Sequence, residues 1–298
     1  MKFALILLTI LVILAILFFS GLAAFVVYPK RHTLESCRDE EERHGVFGDF
    51  DSLTSVSYLI NSHDGYALHA EFFAAPETSN HYVIISHGYT ATRCASVKYL
   101  HQFRRLGYNC IIYDDRGHGE NIRTKCTLGL YESEDLMAVI DDTYSRYGRD
   151  IYLGLHGESM GSAISLSALR YKPRVAFVVA DCGFANLYDL LKGGYERLHL
   201  GWLIGPVNAV TQARYGFDLR DTSPVDALAG NKVPLCIIHG ADDGIITPDN
   251  ADRLAEATAG NVEVHKVDGA GHAESREVLG REAYEQVIAD FLANVGLA

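Results

Sequence analysis

The stretch IYLGLHGESMG, residues 151–161, decides the fold, because a short apolar run passes through a glycine-rich turn into a helical pattern. The apolar run 151–155 favours a strand, and the spacing of apolar residues over 160–171 favours a helix. Between them, the motif Gly-x-Ser-x-Gly centres on Ser159, and its two glycines leave room for a tight, strained turn. The simpler reading is a glycine-rich turn with an N-capping serine. The strand, turn and helix context predicts instead that the Ser159 hydroxyl is exposed as a nucleophile.

Apolar runs alternate with amphipathic stretches along the rest of the chain, a rhythm typical of an α/β fold with a mainly parallel sheet and helices on both faces. Predicted strands occur at 82–86, 109–113, 151–155, 175–180, 233–239 and 262–267. Helical spacing occurs at 93–106, 133–147, 160–171, 249–258 and 278–295. Two further segments, 55–60 and 66–73, flank an Asp-Gly turn and predict an antiparallel hairpin.

A nucleophilic serine needs a base and an acid that orients the base. Among thirteen histidines, His272 lies in a glycine-rich loop between the last predicted strand and the last helix, where an imidazole can reach the sheet edge. Asp242 and Asp243 both follow the strand 233–239, and Asp181 follows the strand 175–180. The residues therefore predict the order serine, aspartate, histidine along the chain.

Two backbone N–H groups can stabilise the negative charge that forms on a reacting carbonyl oxygen. Met160 follows the serine and opens a helix, so its N–H points toward developing negative charge. The loop after the strand 82–86 supplies the second donor, and we predict the N–H of Tyr89 for that role.

These motifs together resemble those of serine hydrolases with the α/β-hydrolase fold, over residues 55–298. The motifs that carry the resemblance are His87-Gly88, Asp115-Arg116-Gly117-His118-Gly119, Gly157-Glu158-Ser159-Met160-Gly161, His239-Gly240-Ala241-Asp242-Asp243 and Gly271-His272. The chain looks most like membrane-anchored bacterial hydrolases of the serine aminopeptidase-like and Bem46-like groups. The resemblance implies Asp243 as the acid, three residues after Gly240. The distance from Asp243 to Pro248 departs from the usual family spacing, so Asp242 stays open.

The amino-terminal segment is unlike the rest of the chain, since residues 3–28 carry no charge. As a helix this segment would be about 39 Å long, more than the roughly 30 Å of a bilayer's hydrocarbon core. It predicts a single-pass membrane anchor, and the alternative is a secretory signal cut near Ala23. The basic residues that follow the span would keep the main domain inside, but acidic neighbours dilute them, so the side of the membrane stays open.

The predicted organisation has three parts. Residues 1–28 form the anchor or signal segment, 29–52 form a charged tether, and 53–298 form the hydrolase domain. Within that domain, residues 184–228 lack strands and predict a small helical cap over the sheet edge. Apolar residues recur in this cap and suit either an acyl group or packing on the domain: Leu187, Leu191, Tyr195, Leu198, Trp202 and Leu203.

Composition excludes some classes of partner. The net charge of −12 argues against binding to nucleic acid, which needs a basic surface. The six scattered cysteines predict neither a disulfide framework nor a zinc site. No metal or organic cofactor is predicted, because the chain lacks the usual binding motifs for them.

The sequence therefore predicts a serine hydrolase of the carboxylesterase type that acts on a small acyl substrate through an acyl-enzyme. A serine aminopeptidase and a lipid acyl hydrolase are the alternatives within the enzymes. A non-catalytic binding protein that retains the fold is the alternative from another class. The oligomeric state is open.

Overall fold

The strands form where the apolar runs predict them. A computed structural model describes residues 1–43, 45–48 and 50–297. The strands are β1 (Ser55–Asn61), β2 (Ala67–Phe73), β3 (His81–Ser86), β4 (Asn109–Tyr113), β5 (Tyr152–Glu158), β6 (Phe177–Asp181), β7 (Leu235–Gly240) and β8 (Val262–Val267). They form one eight-stranded sheet in the order β1-β2-β4-β3-β5-β6-β7-β8. The strands from β3 to β8 pair in parallel, and β1 and β2 form the predicted antiparallel hairpin.

The described residues also form eleven helices, most of which pack on the two faces of the sheet. They are α1 (Lys2–Val27), α2 (Leu34–Arg43), α3 (Val97–Arg105), α4 (Leu130–Tyr147), α5 (Met160–Ala168), α6 (Leu187–Arg197), α7 (Ile204–Tyr215), α8 (Pro224–Ala227), α9 (Asp249–Ala257), α10 (Ser275–Leu279) and α11 (Arg281–Asn294). Along β3, Ile84 packs into one apolar layer while Val83 and Ile85 pack into the other. Both faces of the strand are buried, which explains its continuous apolar sequence. The predicted α/β class and mostly parallel sheet are confirmed.

One predicted helix is wrong as a single element. The range 278–295 was expected to be continuous, but α10 ends at Leu279 and α11 begins at Arg281. Gly280 between them has a φ of 84°. This left-handed conformation suits glycine and cannot continue a right-handed helix.

The amino-terminal helix α1 is long and apolar enough to span a membrane, judged by its length and composition. Its last turns pack on the domain, where Ala23 and Val27 are buried. In the predicted tether, α2 also packs on the domain through the buried Cys37. Residues 184–228 hold helices α6 to α8. The division into 1–28, 29–52 and 53–298 stays a prediction.

Candidate active site

The turn between β5 and α5 holds Ser159 in a strained conformation. Its φ and ψ are 54° and −113°, values that L-residues rarely adopt and that concentrate at functional sites. The backbone N–H of Ser159 donates to the carbonyl of Asp181 on the neighbouring strand at 2.9 Å. The fixed turn presents the Ser159 side chain at the carboxyl edge of the sheet.

The two glycines of the motif are required by close backbone packing. A Cβ atom at Gly157 would lie 2.1 Å from the carbonyl oxygen of Gly161. A Cβ atom at Gly161 would lie 2.1 Å from the carbonyl oxygen of Ser86, at the end of β3. These distances are far inside van der Waals contact, so the turn can form only with glycine at both positions.

Replacing Gly157 with alanine is therefore expected to lower the free energy of unfolding by about 3 kcal/mol, because backbone would have to move. Gly193→Ala is the matched control, since a Cβ there meets nothing within 4 Å. Alanine in the interior of α6 is expected to leave stability equal or higher by about 1 kcal/mol. Thermal unfolding of the two variants in detergent checks the difference. Equal melting temperatures would contradict the packing argument.

The structure brings Ser159, His272 and Asp243 together, although 113 residues separate the serine from the histidine. The Oγ of Ser159 lies 2.9 Å from Nε2 of His272. The Nδ1 of the same imidazole lies 2.7 Å from Oδ2 of Asp243. The Nδ1–H group donates a hydrogen bond to the carboxylate, so Nε2 is left as the acceptor for the serine hydroxyl.

The local geometry separates Asp243 from the other two candidate acids. Oδ1 of Asp243 accepts hydrogen bonds from the N–H groups of Ile245 and Ile246, at 2.8 and 2.9 Å. The side chain of Asp243 is buried, whereas Asp242 is exposed. The carboxylate of Asp181 has a different partner, because its Oδ2 accepts a hydrogen bond from the hydroxyl of Tyr284 at 2.8 Å. Among these acids, Asp243 is therefore the partner of the imidazole.

Charge and hydrogen bonding keep Asp243 ionised. Burial raises the pKa of its carboxyl, but hydrogen bonds from His239 and His272 outweigh burial and hold that pKa well below its usual range. His239 in turn bonds the carbonyl of Ile246 at 2.8 Å. His239 therefore holds the loop that carries the acid, a role that its place in the quoted motif did not reveal.

The loop after β3 lies directly beside the serine. Ser86 pairs with Gly157 across β3 and β5, so both strands end at the same level. A Cβ atom placed on Gly88 would be 3.7 Å from the Cβ of Ser159. Tyr89 follows in the chain, and Met160 is the first residue of α5, whose N–H has no acceptor within the helix. The two predicted oxyanion donors thus belong to the two chain segments next to Ser159, and their role stays a prediction.

Two buried histidines support this loop without taking part in the triad geometry. Nε2 of His87 accepts a hydrogen bond from the N–H of Asp115 at 3.0 Å. Nε2 of His118 faces the N–H of Thr90 at 3.4 Å. Burial lowers the pKa of His87 and lowers that of His118 to about 3, so both imidazoles are neutral acceptors at neutral pH.

Sequence reasoning missed a buried charged group beneath the turn. Nζ of Lys98 contacts Oε2 of Glu158 at 2.5 Å, and the hydroxyl of Tyr99 bonds the same carboxylate. Glu158 immediately precedes the serine, so this ion pair ties the start of the turn to α3. A charged residue inside the motif was a visible signal, but nothing in the local pattern identified Lys98 as its partner.

Asp181, on the strand next to Ser159, makes the stability of the fold depend on pH. Burial and the negative charge of Glu158 raise the pKa of Asp181 to about 7. Between about pH 4 and pH 7 the folded chain keeps a proton that the unfolded chain releases, so stability falls as pH rises through this range. We expect Asp181→Asn to reduce that fall by about 2 kcal/mol.

Thermal unfolding at pH 5 and pH 8 checks this expectation. Asp268→Asn serves as the control, because Asp268 is exposed and follows β8. Its pH dependence should match that of the unmodified chain. If Asp181→Asn left the pH dependence of stability unchanged, Asp181 would not be its source.

Within the described residues, no group of three or more His, Cys, Asp or Glu side chains could hold a metal ion. The absence of a cofactor stays an expectation. Cys110 and Cys236 are buried in the core, as small apolar side chains would be.

Similarity to known proteins covers most of the chain. The family described as serine aminopeptidase, S33, matches residues 77–187, which include Ser159 but end before Asp243 and His272. YqkD, an uncharacterized protein of Bacillus subtilis (strain 168), is 30% identical over 278 residues, which are 91% of this chain and 90% of YqkD.

Solved structures share the fold. The esterase Pf2001 of Pyrococcus furiosus superposes with a TM-score of 0.69 and 22% identity, over 90% of this chain and 98% of the esterase. A puromycin-hydrolyzing peptidase of Mycobacterium tuberculosis superposes with a TM-score of 0.65 and 18% identity, over 83% of this chain and 40% of the peptidase. At these identities the likeness concerns the fold alone. Because the sheet order, the turn at Ser159 and the extended similarity to YqkD agree, the chain belongs to the α/β-hydrolase family of serine hydrolases.

Proposed function

We propose that the protein hydrolyses carboxylic esters through a catalytic triad of Ser159, His272 and Asp243. The observation that carries this proposal is the unbroken chain of contacts from Ser159 Oγ to His272 Nε2 at 2.9 Å and from His272 Nδ1 to Asp243 Oδ2 at 2.7 Å. The backbone N–H groups of Tyr89 and Met160 serve as the oxyanion donors. The amino-terminal helix anchors the enzyme in a cell membrane.

The first half of the reaction transfers the acyl group to the serine. As Oγ of Ser159 bonds to the carbonyl carbon, Nε2 of His272 takes the hydroxyl proton. The carbonyl electron pair moves onto oxygen, where the N–H groups of Tyr89 and Met160 stabilise the charge. When the carbonyl reforms, the bond to the alcohol oxygen breaks, and the alcohol leaves with the proton from His272.

The second half returns the enzyme to its starting state. Nε2 of His272 takes a proton from water as the water oxygen attacks the acyl carbon of the ester on Ser159. The bond from that carbon to Oγ then breaks, and Ser159 regains a proton from His272. The products are a carboxylic acid and the free serine. Asp243 stays ionised throughout and stabilises the imidazolium that forms in each half.

The contacts of Glu158 favour an ester over an amino-terminal peptide substrate. An aminopeptidase needs an acceptor for the substrate ammonium group, and Glu158 is the acid closest in sequence to the serine. Oε2 of this carboxylate already contacts both Nζ of Lys98 and the hydroxyl of Tyr99. The serine aminopeptidase remains the second candidate, because the matching family carries that description.

A comparison of substrates tests the proposal. Purified protein is assayed with p-nitrophenyl esters of increasing acyl length and with alanine p-nitroanilide, and in parallel it is labelled with a fluorophosphonate. We expect ester turnover and labelling that is lost in Ser159→Ala. Faster cleavage of the anilide would favour the aminopeptidase. Ligand binding with neither labelling nor turnover in the unmodified protein would support the non-catalytic alternative and overturn the proposal.

A further inference from the structure

The connection between α6 and α7 presents apolar side chains to solvent. Leu198, Leu200 and Trp202 are 67%, 38% and 66% exposed. Leu187, the first residue of α6, and Leu203, the residue before α7, are instead buried and pack the cap on the domain. Residues 198–202 are called the cap connection below. Its exposed apolar side chains therefore have a role other than packing the cap on the domain.

The cap connection lies beside α1. The rings of Trp202 and Phe19 meet edge to face, with their centroids 6.5 Å apart. Helix α7, which follows the cap connection, also packs against α1. Residues 2–18 of α1 are all exposed and almost entirely apolar. The apolar surface of the cap connection is therefore continuous with the face of α1 that would contact lipid.

The exposed part of α1 is too short to cross a bilayer without reaching the cap connection. At 1.5 Å per residue, residues 2–18 extend about 26 Å, whereas the hydrocarbon core is about 30 Å thick. Any tilt increases the length required. A spanning α1 must therefore also use residues 19–22, the turn at which Phe19 contacts Trp202.

The other end of α1 is hydrogen-bonded to the loop that lies beside the serine. The carbonyl of Val26 accepts a hydrogen bond from the hydroxyl of Tyr89 at 2.8 Å. The carbonyl of Val27 accepts one from the N–H of Cys126 at 2.8 Å. Since Tyr89 belongs to the loop beside Ser159, α1 sets the orientation of the candidate active site relative to the membrane.

We propose that the cap connection lies in the interface of the bilayer that α1 crosses, and that the substrate is an acyl lipid entering from this bilayer. Tryptophan favours the interfacial zone of membranes, and burial of leucine side chains in lipid stabilises such contact. The ester groups of acyl lipids lie at the same depth. The substrate part of this proposal rests on the proposed Ser159 hydrolase, whereas the position of the cap connection does not.

The position of the cap connection in the bilayer can be measured directly, because Trp202 is the single tryptophan of the chain. The full chain is reconstituted in phosphatidylcholine vesicles with or without bromine atoms on carbons 6 and 7 of an acyl chain. We expect at least about a twofold loss of Trp202 fluorescence in the brominated vesicles, as for an interfacial indole. Equal fluorescence in both kinds of vesicle would overturn the proposed position.

A double variant, Trp202→Phe with Tyr152→Trp, provides the matched control. Tyr152 is 49% exposed and begins β5, at the opposite end of the strand from Ser159. Its tryptophan should keep the same fluorescence in both kinds of vesicle. Quenching as strong as that of Trp202 would show that the domain has no fixed orientation and would overturn the proposal.

The substrate class is tested with Leu198→Asp combined with Leu200→Asp. Hydrolysis of monoacylglycerol, diacylglycerol and lysophospholipid in vesicles should fall by about tenfold, since two side chains lose their burial in lipid. Hydrolysis of p-nitrophenyl acetate in solution should not change. Unmodified protein that cleaves the soluble ester but none of the lipids overturns the lipid substrate. If the unmodified protein also fails to cleave the soluble ester, the proposed function is refuted. The quenching of Trp202 still reports the position of the cap connection in that case.

Discussion

Ser159→Ala is expected to lower kcat/KM for a short acyl ester by between about 10⁴ and 10⁶-fold, because the only nucleophile of the proposed mechanism is removed. The oxyanion donors are backbone groups and persist in the variant, so a small rate above that of water should remain. Stability should change little, since the substitution removes one hydroxyl group, whose hydrogen bond goes to the imidazole of His272. Steady-state kinetics and thermal unfolding of the variant measure both expectations.

A serine inside α5, the helix that follows Ser159, separates loss of the nucleophile from damage to that helix. Ser165 lies in α5, is buried, and its Oγ has no hydrogen-bond partner in the part of the chain that the structure describes. Ser165→Ala should therefore keep full ester hydrolysis. A comparable loss of activity in both variants, or near-normal activity in Ser159→Ala, would refute Ser159 as the nucleophile.

Asp243→Asn is expected to lower kcat by about 10⁴-fold while leaving the fold intact. The amide is nearly the same size as the carboxylate, but its NH₂ group can direct Nδ1 of His272 to act as the acceptor. The proton would then sit on Nε2, which could no longer take the proton of Ser159. The carboxylate charge that stabilises the imidazolium is also lost.

Asp242 provides the matched control for Asp243→Asn. Asp242 is exposed and adjacent in sequence, so Asp242→Asn makes the same chemical change one residue away. We expect its kcat to stay within about twofold of the unmodified value, as for surface substitutions. If Asp242→Asn instead causes the large loss and Asp243→Asn does not, the acid has been assigned to the wrong residue.

Local sequence pattern was enough to predict the order of the strands and the sharp turn that holds Ser159. The six predicted apolar runs and the two hairpin segments all form strands in one sheet. Continuous apolar runs bounded by turns have few other ways to be buried. The glycines around Ser159 predicted a sharp turn, and the structure shows that side chains at those positions would collide with backbone. The single helix expected over 278–295 was wrong because Gly280 adopts a positive φ.

The local sequence could not distinguish neighbouring residues of the same type, and contacts between distant parts of the chain decided between them. Asp242 and Asp243 are alike in sequence, and only the loop after β7 turns Asp243 toward His272. The pairing of Lys98 with Glu158 joins a helix to a strand far along the chain. No periodic pattern in the sequence predicts such a pair, because the lysine fits its helix and the glutamate fits its strand equally well without the other.

The sequence by itself determined the α/β fold class, the apolar amino-terminal helix and the serine turn, since each depends on residues close together in the chain. The tertiary structure decided which acid meets the imidazole and where α1 rests. It also decided which cap residues stay exposed, with Leu187 and Leu203 buried but Leu198 and Trp202 facing outward. The physical reason is that burial and distance arise when separate elements pack, and an apolar residue has the same local pattern whether it faces the core or lies exposed.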